Sequence, residues 1–293
     1  MLVTPAPRRP LVFLLALAVT VLSSVSSALG RHEVIGRPSP SFVGWSGAQF
    51  RQCINSWETI RDLIPELGTV SNNLYSIGGV ALKLDEETKK RLGEVAEVGG
   101  YKGIDSSAVL FYVGGNENGA VGREMYAKYR FQKVFVYEPF PPFYQKLKRI
   151  FAGKGISVFE YGLSDENKEL TIRDAGPSTS THSGADPCSQ GCHTVTIKDA
   201  LPIFASLLRQ IQPADAILYT NCEGCEIPVL ERLLEGGLVD RFKYIHIATH
   251  ADGTDHYVAR LCRIREKLER THRLLKDVPY AQERYVLKIN GDA

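Results

Sequence analysis

Residues 108–139, AVLFYVGGNENGAVGREMYAKYRFQKVFVYEP, decide how this chain is read. Ala108 to Val113 is an unbroken apolar run, as expected of a buried strand. A glycine-rich turn follows, Gly114-Gly115-Asn116-Glu117-Asn118-Gly119, and then a helix. A second strand, Val134 to Tyr137, ends on Glu138-Pro139. A strand that stops at a Gly-rich turn lets backbone N–H groups approach a ligand at a helix N-terminus. An acid at the tip of the next strand, about 20 residues on, is placed to accept from two ribose hydroxyls. The segment therefore points to a nucleoside-containing ligand without saying which one.

Outward from this unit the pattern keeps alternating. Pro141-Pro142 opens a helix with Phe143, Leu147, Ile150 and Phe151 on one side. A third strand spans Ile156 to Tyr161, and Glu169–Ile172 with Thr194–Ile197 reads as an inserted hairpin. Asp199 is placed to cap a helix carrying Leu201, Phe204, Leu207, Leu208 and Ile211. Strand four is Ala216–Thr220, followed by a helix from Ile227 to Leu234 that stops at Gly236-Gly237. Strand five, Tyr244–Ala248, precedes a helix over 255–270. The runs Leu274–Val278 and Arg284–Ile289 are too close for a crossover helix and must pair antiparallel. The expected fold is thus α/β, a doubly wound and mostly parallel sheet of seven strands with an antiparallel C-terminal hairpin. A dinucleotide fold of the dehydrogenase type would carry a second mononucleotide half instead. The hairpin favours a Rossmann-like sheet of the class I methyltransferase kind.

The flanking sequence sets the organisation. Arg8-Arg9-Pro10, an apolar stretch from Leu11 to Leu22 and a small-residue run to Ala28 resemble a signal peptide. Residues 1–30 are read as either a cleaved signal or an uncleaved anchor, since about 20 apolar residues are needed to span a bilayer. Either reading places the protein in the secretory pathway, in the ER or Golgi lumen or secreted, with no membrane contact beyond such an anchor. Residues 31–43 read as a linker, 44–105 as a helical N-terminal extension with helices over 44–66 and 84–97, and 106–293 as the main domain. The extension either packs on that domain or covers a substrate. The 35 basic and 33 acidic residues are well mixed, which argues against a nucleic-acid partner. Six cysteines fit an oxidising compartment without fixing their pairing. Cys188 and Cys192 lie in one polar loop and could bridge, whereas by count alone they could join Cys222 and Cys225 on zinc.

Four segments in order resemble the FkbM family of S-adenosylmethionine-dependent methyltransferases, over roughly 108–250. They are Val113-Gly114-Gly115-Asn116-Glu117-Asn118-Gly119, Tyr137-Glu138-Pro139, Tyr161-Gly162-Leu163-Ser164-Asp165, and Leu218-Tyr219-Thr220-Asn221-Cys222-Glu223-Gly224-Cys225-Glu226. The resemblance implies S-adenosyl-L-methionine as cofactor, with Gly114, Asn116 and Gly119 along its methionine and ribose. It further implies Glu138 on the ribose hydroxyls and Ser164 and Asp165 near the adenine. It makes Cys222 and Cys225 small packing residues around Glu-Gly-x-Glu rather than metal ligands, and no metal is expected.

The departures from the family pattern bear on catalysis. Tyr112 stands where the family has an acid, Tyr219 replaces a lysine, Asn221 an aspartate and Ala248 an acid, and the glycine turn is one residue longer. Methyl transfer to a hydroxyl needs alignment and usually a base. The candidates are His250, Glu223 and Glu226, with Asn221 as an orienting group. Glu226 can equally be a first-turn acid favoured by the helix dipole. The expected reaction is O-methylation of a sugar or other hydroxyl on a small-molecule or glycan acceptor. The alternative is a methyltransferase-like binding protein without catalysis. The Ser/Thr/His-rich insertion 176–190 suits an acceptor-binding loop.

Overall fold

A computed structural model describes residues 45–63, 76–77, 80–81, 100–173, 191–249, 257–278 and 282–288. The N-terminal segment, the linker, the helix expected over 84–97, the insertion 176–190 with Cys188, and His250 all lie outside them.

The described residues begin with α1 (Gly47–Leu63) and a two-residue antiparallel ladder, β1 (Ser76–Ile77) with β2 (Val80–Ala81). The described part of the extension is therefore not wholly helical. The main domain follows: β3 (Val109–Val113), α2 (Ala120–Tyr129), β4 (Lys133–Tyr137), α3 (Pro141–Ile150) and β5 (Ile156–Phe159). After an insertion of β6 (Gly162–Ser164), β7 (Lys168–Arg173) and β8 (Cys192–Asp199) come α4 (Ala200–Ile211), β9 (Ala216–Thr220), α5 (Glu226–Glu235) and β10 (Tyr244–Ala248). The chain closes with α6 (Tyr257–Leu268), β11 (His272–Val278) and β12 (Gln282–Leu287).

Seven strands form one sheet in the order β11-β12-β10-β9-β3-β4-β5. β3 pairs in parallel with both β4 and β9, while β12 runs antiparallel to β10 and to β11. This is the doubly wound sheet with an antiparallel closing hairpin that the spacing predicts. Every residue of β3, β9 and β10 is buried, which is why those strands read as continuous apolar runs rather than as an alternation. One face packs Phe111, Phe135, Leu218 and Ile245 against α4, α5 and α6. The other packs Leu110, Val134, Ile217 and Tyr219 with Met125 of α2 and Leu147 of α3.

Local chemistry sets the element ends. The Asp199 carboxylate accepts from the Leu201 N–H at 2.9 Å, capping α4, and is gripped by the Arg232 guanidinium on α5. That guanidinium holds the Asp199 carboxyl below its usual range. The inserted hairpin is a three-stranded sheet, because β6 pairs in parallel with β8. A three-residue strand is too short to show a period, so the sequence offers only a hairpin there.

Side-chain ties also fasten the helices. Cys53 on α1 is bonded to Cys262 on α6, with the Trp45 indole N–H donating to Glu269 nearby. A cross-link spanning 209 residues removes chain entropy worth about 5 kcal/mol from the unfolded state. Arg265 of α6 and Glu283 of β12 form a buried ion pair at 2.9 Å, and the Tyr285 hydroxyl also donates to Glu283.

Candidate functional site

The strand order reverses at β3, which has β4 and β5 on one side and β9 and β10 on the other. Ligands of doubly wound sheets bind outside the carboxyl ends of the strands at such a switch point. The turn after β3 and the loop after β9 meet there. The Asn221 N–H donates to the Val113 carbonyl at 2.8 Å, and the Gly114 N–H donates to the Tyr137 carbonyl at 3.0 Å. Gly114 has φ +90°, and a Cβ on it would stand 1.8 Å from the Asn221 carbonyl oxygen. Only glycine lets the two backbones come this close.

Around the junction is a small pocket open to solvent. Gly114, Asn116, Glu138, Asn221 and Glu223 line it, so five of the residues singled out in the sequence share one crevice. Glu138 is only 5% exposed. One of its oxygens accepts from the Asn116 N–H at 2.8 Å and the other from the Phe140 N–H at 2.9 Å. Asn116 reaches this position in the left-handed region, at φ +55°. Burial pushes the Glu138 carboxyl up to about 7, against the pull of those two N–H groups. Each oxygen keeps a lone pair for a further donor.

The remaining candidates divide. Ser164 and Asp165 line an adjoining cleft with Lys168, Arg260 and Gly224, and the Ser164 hydroxyl donates to Asp165 at 2.8 Å. Leu163, Ile197 and Cys225 border both spaces. Gly119 stands away from the crevice, as the N-cap of α2, packed so that a Cβ would meet Phe151 at 2.6 Å. Glu226 is fully buried and turned into its own loop, accepting from the Cys222 N–H at 2.6 Å and the Gly224 N–H at 2.8 Å. It shapes the loop rather than facing a ligand.

Cys222 and Cys225 are not loose packing residues: they form a disulfide in the crevice wall. Sequence spacing alone could not separate this from a metal pair. Cys192 is disulfide-bonded as well. Among the described residues no group of three or more His, Cys, Asp or Glu side chains is arranged to hold a metal. His246 is buried and bonded through Nδ1 to the Tyr101 hydroxyl at 2.9 Å, and burial keeps it well below the ordinary histidine range.

The departures at positions 112 and 219 are one feature. Tyr112 and Tyr219 are cross-strand partners, their rings edge to face at 5.4 Å. His246 continues the row beside Tyr219, with Arg284 next in register. Sequence reading did not assign Phe140, Phe143, Ile172 and Ile197 to the site, where they give the crevice an apolar wall. The Phe-Pro-Pro-Phe run after Glu138-Pro139 was the available signal for the first two.

A nucleoside cofactor fits what is present. Glu138 offers a braced carboxylate, and the buried hydroxyl of Tyr137, another lining residue, has no hydrogen-bond partner. Strand order, glycine turn and strand-tip acid together define a methyltransferase-like α/β fold. No family model matches the chain, and no curated protein matches it. Among solved structures it is similar to methyltransferase FkbM from Methylobacillus flagellatus, with 13% identity over 92% of this chain and a TM-score of 0.43. The match covers 60% of that protein's chain, so the present chain spans less than two thirds of it. SAH-bound methyltransferase PaMTH1 of Podospora anserina shows 12% identity, 98% and 100% coverage and a TM-score of 0.34. A geranyl diphosphate methyltransferase solved with GPP and sinefungin shows 10% identity, 82% and 98% coverage and a TM-score of 0.33. These are likenesses of general fold, and nothing about this chain's chemistry rests on them.

Proposed function

We propose that the chain binds S-adenosylmethionine in the crevice between Gly114 and Glu138 and methylates an oxygen of a sugar or other hydroxyl acceptor. The observation that carries this is the Glu138 carboxylate. It is buried at the strand tip and braced by the Asn116 and Phe140 N–H groups, and it keeps capacity for two hydroxyls. Glu138 would hold the ribose, Gly114 and Asn116 would pass along the sugar and methionine, and Ser164 and Asp165 would meet the adenine from the adjoining cleft. Asn221 and Glu223 would face the acceptor, with His250 as its base. The family assignment to the FkbM group belongs to this proposal. So does a place in the secretory pathway, which the disulfides of the described residues support. The acceptor would be a small molecule or glycan and not a nucleic acid, with any membrane contact made through the N-terminal segment.

One observation favours a second reading, binding without transfer. Glu226 is committed to its own loop, and Tyr112 and Tyr219 fill the positions of two charged groups. Glu138 and Glu223 are then the crevice-lining carboxylates among the described residues. Calorimetry of the full chain with S-adenosylmethionine, repeated on Glu138→Gln, tests the cofactor assignment. Binding that the glutamine weakens is expected, and no binding by the parent chain sinks it. Binding with no methyl transfer to any member of a glycan panel would favour the second reading.

A further inference from the structure

We infer that the Cys222–Cys225 disulfide is a thiol–disulfide exchange site whose reduction weakens the crevice. Only the second half of this inference rests on the cofactor reading above. The bridge closes over Glu223 and Gly224, whose φ values are +54° and +117°, so a non-glycine residue is held in the left-handed region inside a four-residue ring. Both cysteines line the crevice, and Cys225 also borders the adjoining cleft, so a small thiol reaches the bridge from solvent. The other described bridge differs in kind. Cys53 is 3% exposed and Cys262 not at all, which shields that bond.

The surroundings set the direction of the exchange. Cys222 is half-buried, while Cys225 is 8% exposed and is the N-cap of the ten-residue helix α5. A thiolate of a dithiol reductant attacks Cys222 Sγ, the protein S–S bond breaks, and Cys225 leaves as a thiolate at the α5 N-terminus. The Glu226 carboxylate, which accepts from the Cys222 and Gly224 N–H groups, opposes that thiolate in part. The second thiol of the reductant then displaces Cys222. Two electrons pass to the protein, both cysteines become thiols, and the reductant becomes a disulfide.

The reduced loop would not stay a private matter. Its backbone touches the glycine turn, since a Cβ on Gly114 would stand 2.8 Å from Cys222 Cα as well as 1.8 Å from the Asn221 oxygen. Once the four-residue ring opens, the binding-competent arrangement is one of several, and the apparent affinity falls in proportion, about tenfold.

The test uses the full oxidised chain, stepwise dithiothreitol, iodoacetamide labelling read by mass spectrometry, and calorimetry with S-adenosylhomocysteine. Cys222 and Cys225 should label together at reductant levels that leave Cys53 and Cys262 bonded. Affinity should fall about tenfold at the same step and recover on reoxidation. The double variant Cys222→Ser/Cys225→Ser should bind like the reduced protein and ignore reductant. Labelling of Cys53 and Cys262 first, or of all together, overturns the exchange site. Selective labelling with unchanged affinity overturns the coupling. Selective labelling of an oxidised chain that binds no nucleoside overturns the cofactor reading and the coupling together, and leaves the exchange site supported.

Discussion

Replacing Glu138 with glutamine should make the protein more stable at pH 8 while weakening its hold on cofactor. In an unfolded chain a glutamate titrates at about 4.3. In the fold burial raises Glu138 to about 7. Between those values the folded protein holds a proton that the unfolded chain has released, so stability falls as pH rises through the window. The integrated loss is about 4 kcal/mol, most of it between pH 5 and pH 8. Glutamine does not titrate and escapes the loss. It keeps one acceptor oxygen, but its NH₂ group confronts either the Asn116 or the Phe140 N–H, at a cost of about 1–2 kcal/mol at any pH. The variant should therefore be less stable than the parent at pH 5 and more stable at pH 8. The swing of about 2–3 kcal/mol does not depend on the exact cost of the lost hydrogen bond. Urea unfolding at the two pH values measures it. The same change removes charge-assisted bonds to the ribose hydroxyls, so affinity for S-adenosylhomocysteine should drop by roughly 10- to 150-fold, or about 1.5–3 kcal/mol. A difference between variant and parent that stays constant from pH 5 to pH 8 would refute the buried, proton-holding carboxyl. Unchanged affinity would refute its contact with the nucleoside.

Two further outcomes concern the scaffold. Glu283→Gln leaves the Arg265 guanidinium buried opposite a neutral amide, and denaturant unfolding should report a loss of about 3–5 kcal/mol, whereas a loss under 1 kcal/mol would mean the pair is solvated. Cys53→Ala/Cys262→Ala should lower stability by about 3–5 kcal/mol with cofactor affinity retained, since that bridge ties α1 to α6 and is absent from the crevice wall. Calorimetric melting alongside binding checks both halves, and equal melting temperatures would deny the tie a stabilising role.

What the sequence made legible follows from the length scale of each signal. The strands flanking the glycine turn, the Pro141 helix start and the Asp199 cap are written within a few residues, and the structure has them in place. The closing hairpin followed from a gap too short for a helix. The Cys53–Cys262 bond joins residues 209 positions apart, and no local pattern announces which cysteine meets which. The role of Glu226 was hidden for a different reason. The same first-turn acid can face a ligand or fold back on its loop, and only the path of the backbone, through the left-handed Glu223, decides which. The crevice was legible in its polar half, whereas its apolar wall comes partly from the side sheet, whose short strand β6 shows no period of its own.

Tyr112, Tyr219, His246 and Arg284 stand in one register line across four strands, all buried. Such a line resists piecemeal change. A carboxylate placed at position 112 alone would stand against the Tyr219 ring at a site 2% exposed, and its burial without a partner would cost more than the tyrosine does. Substitutions at neighbouring places in the line should therefore not add independently, because each side chain is part of the other's packing.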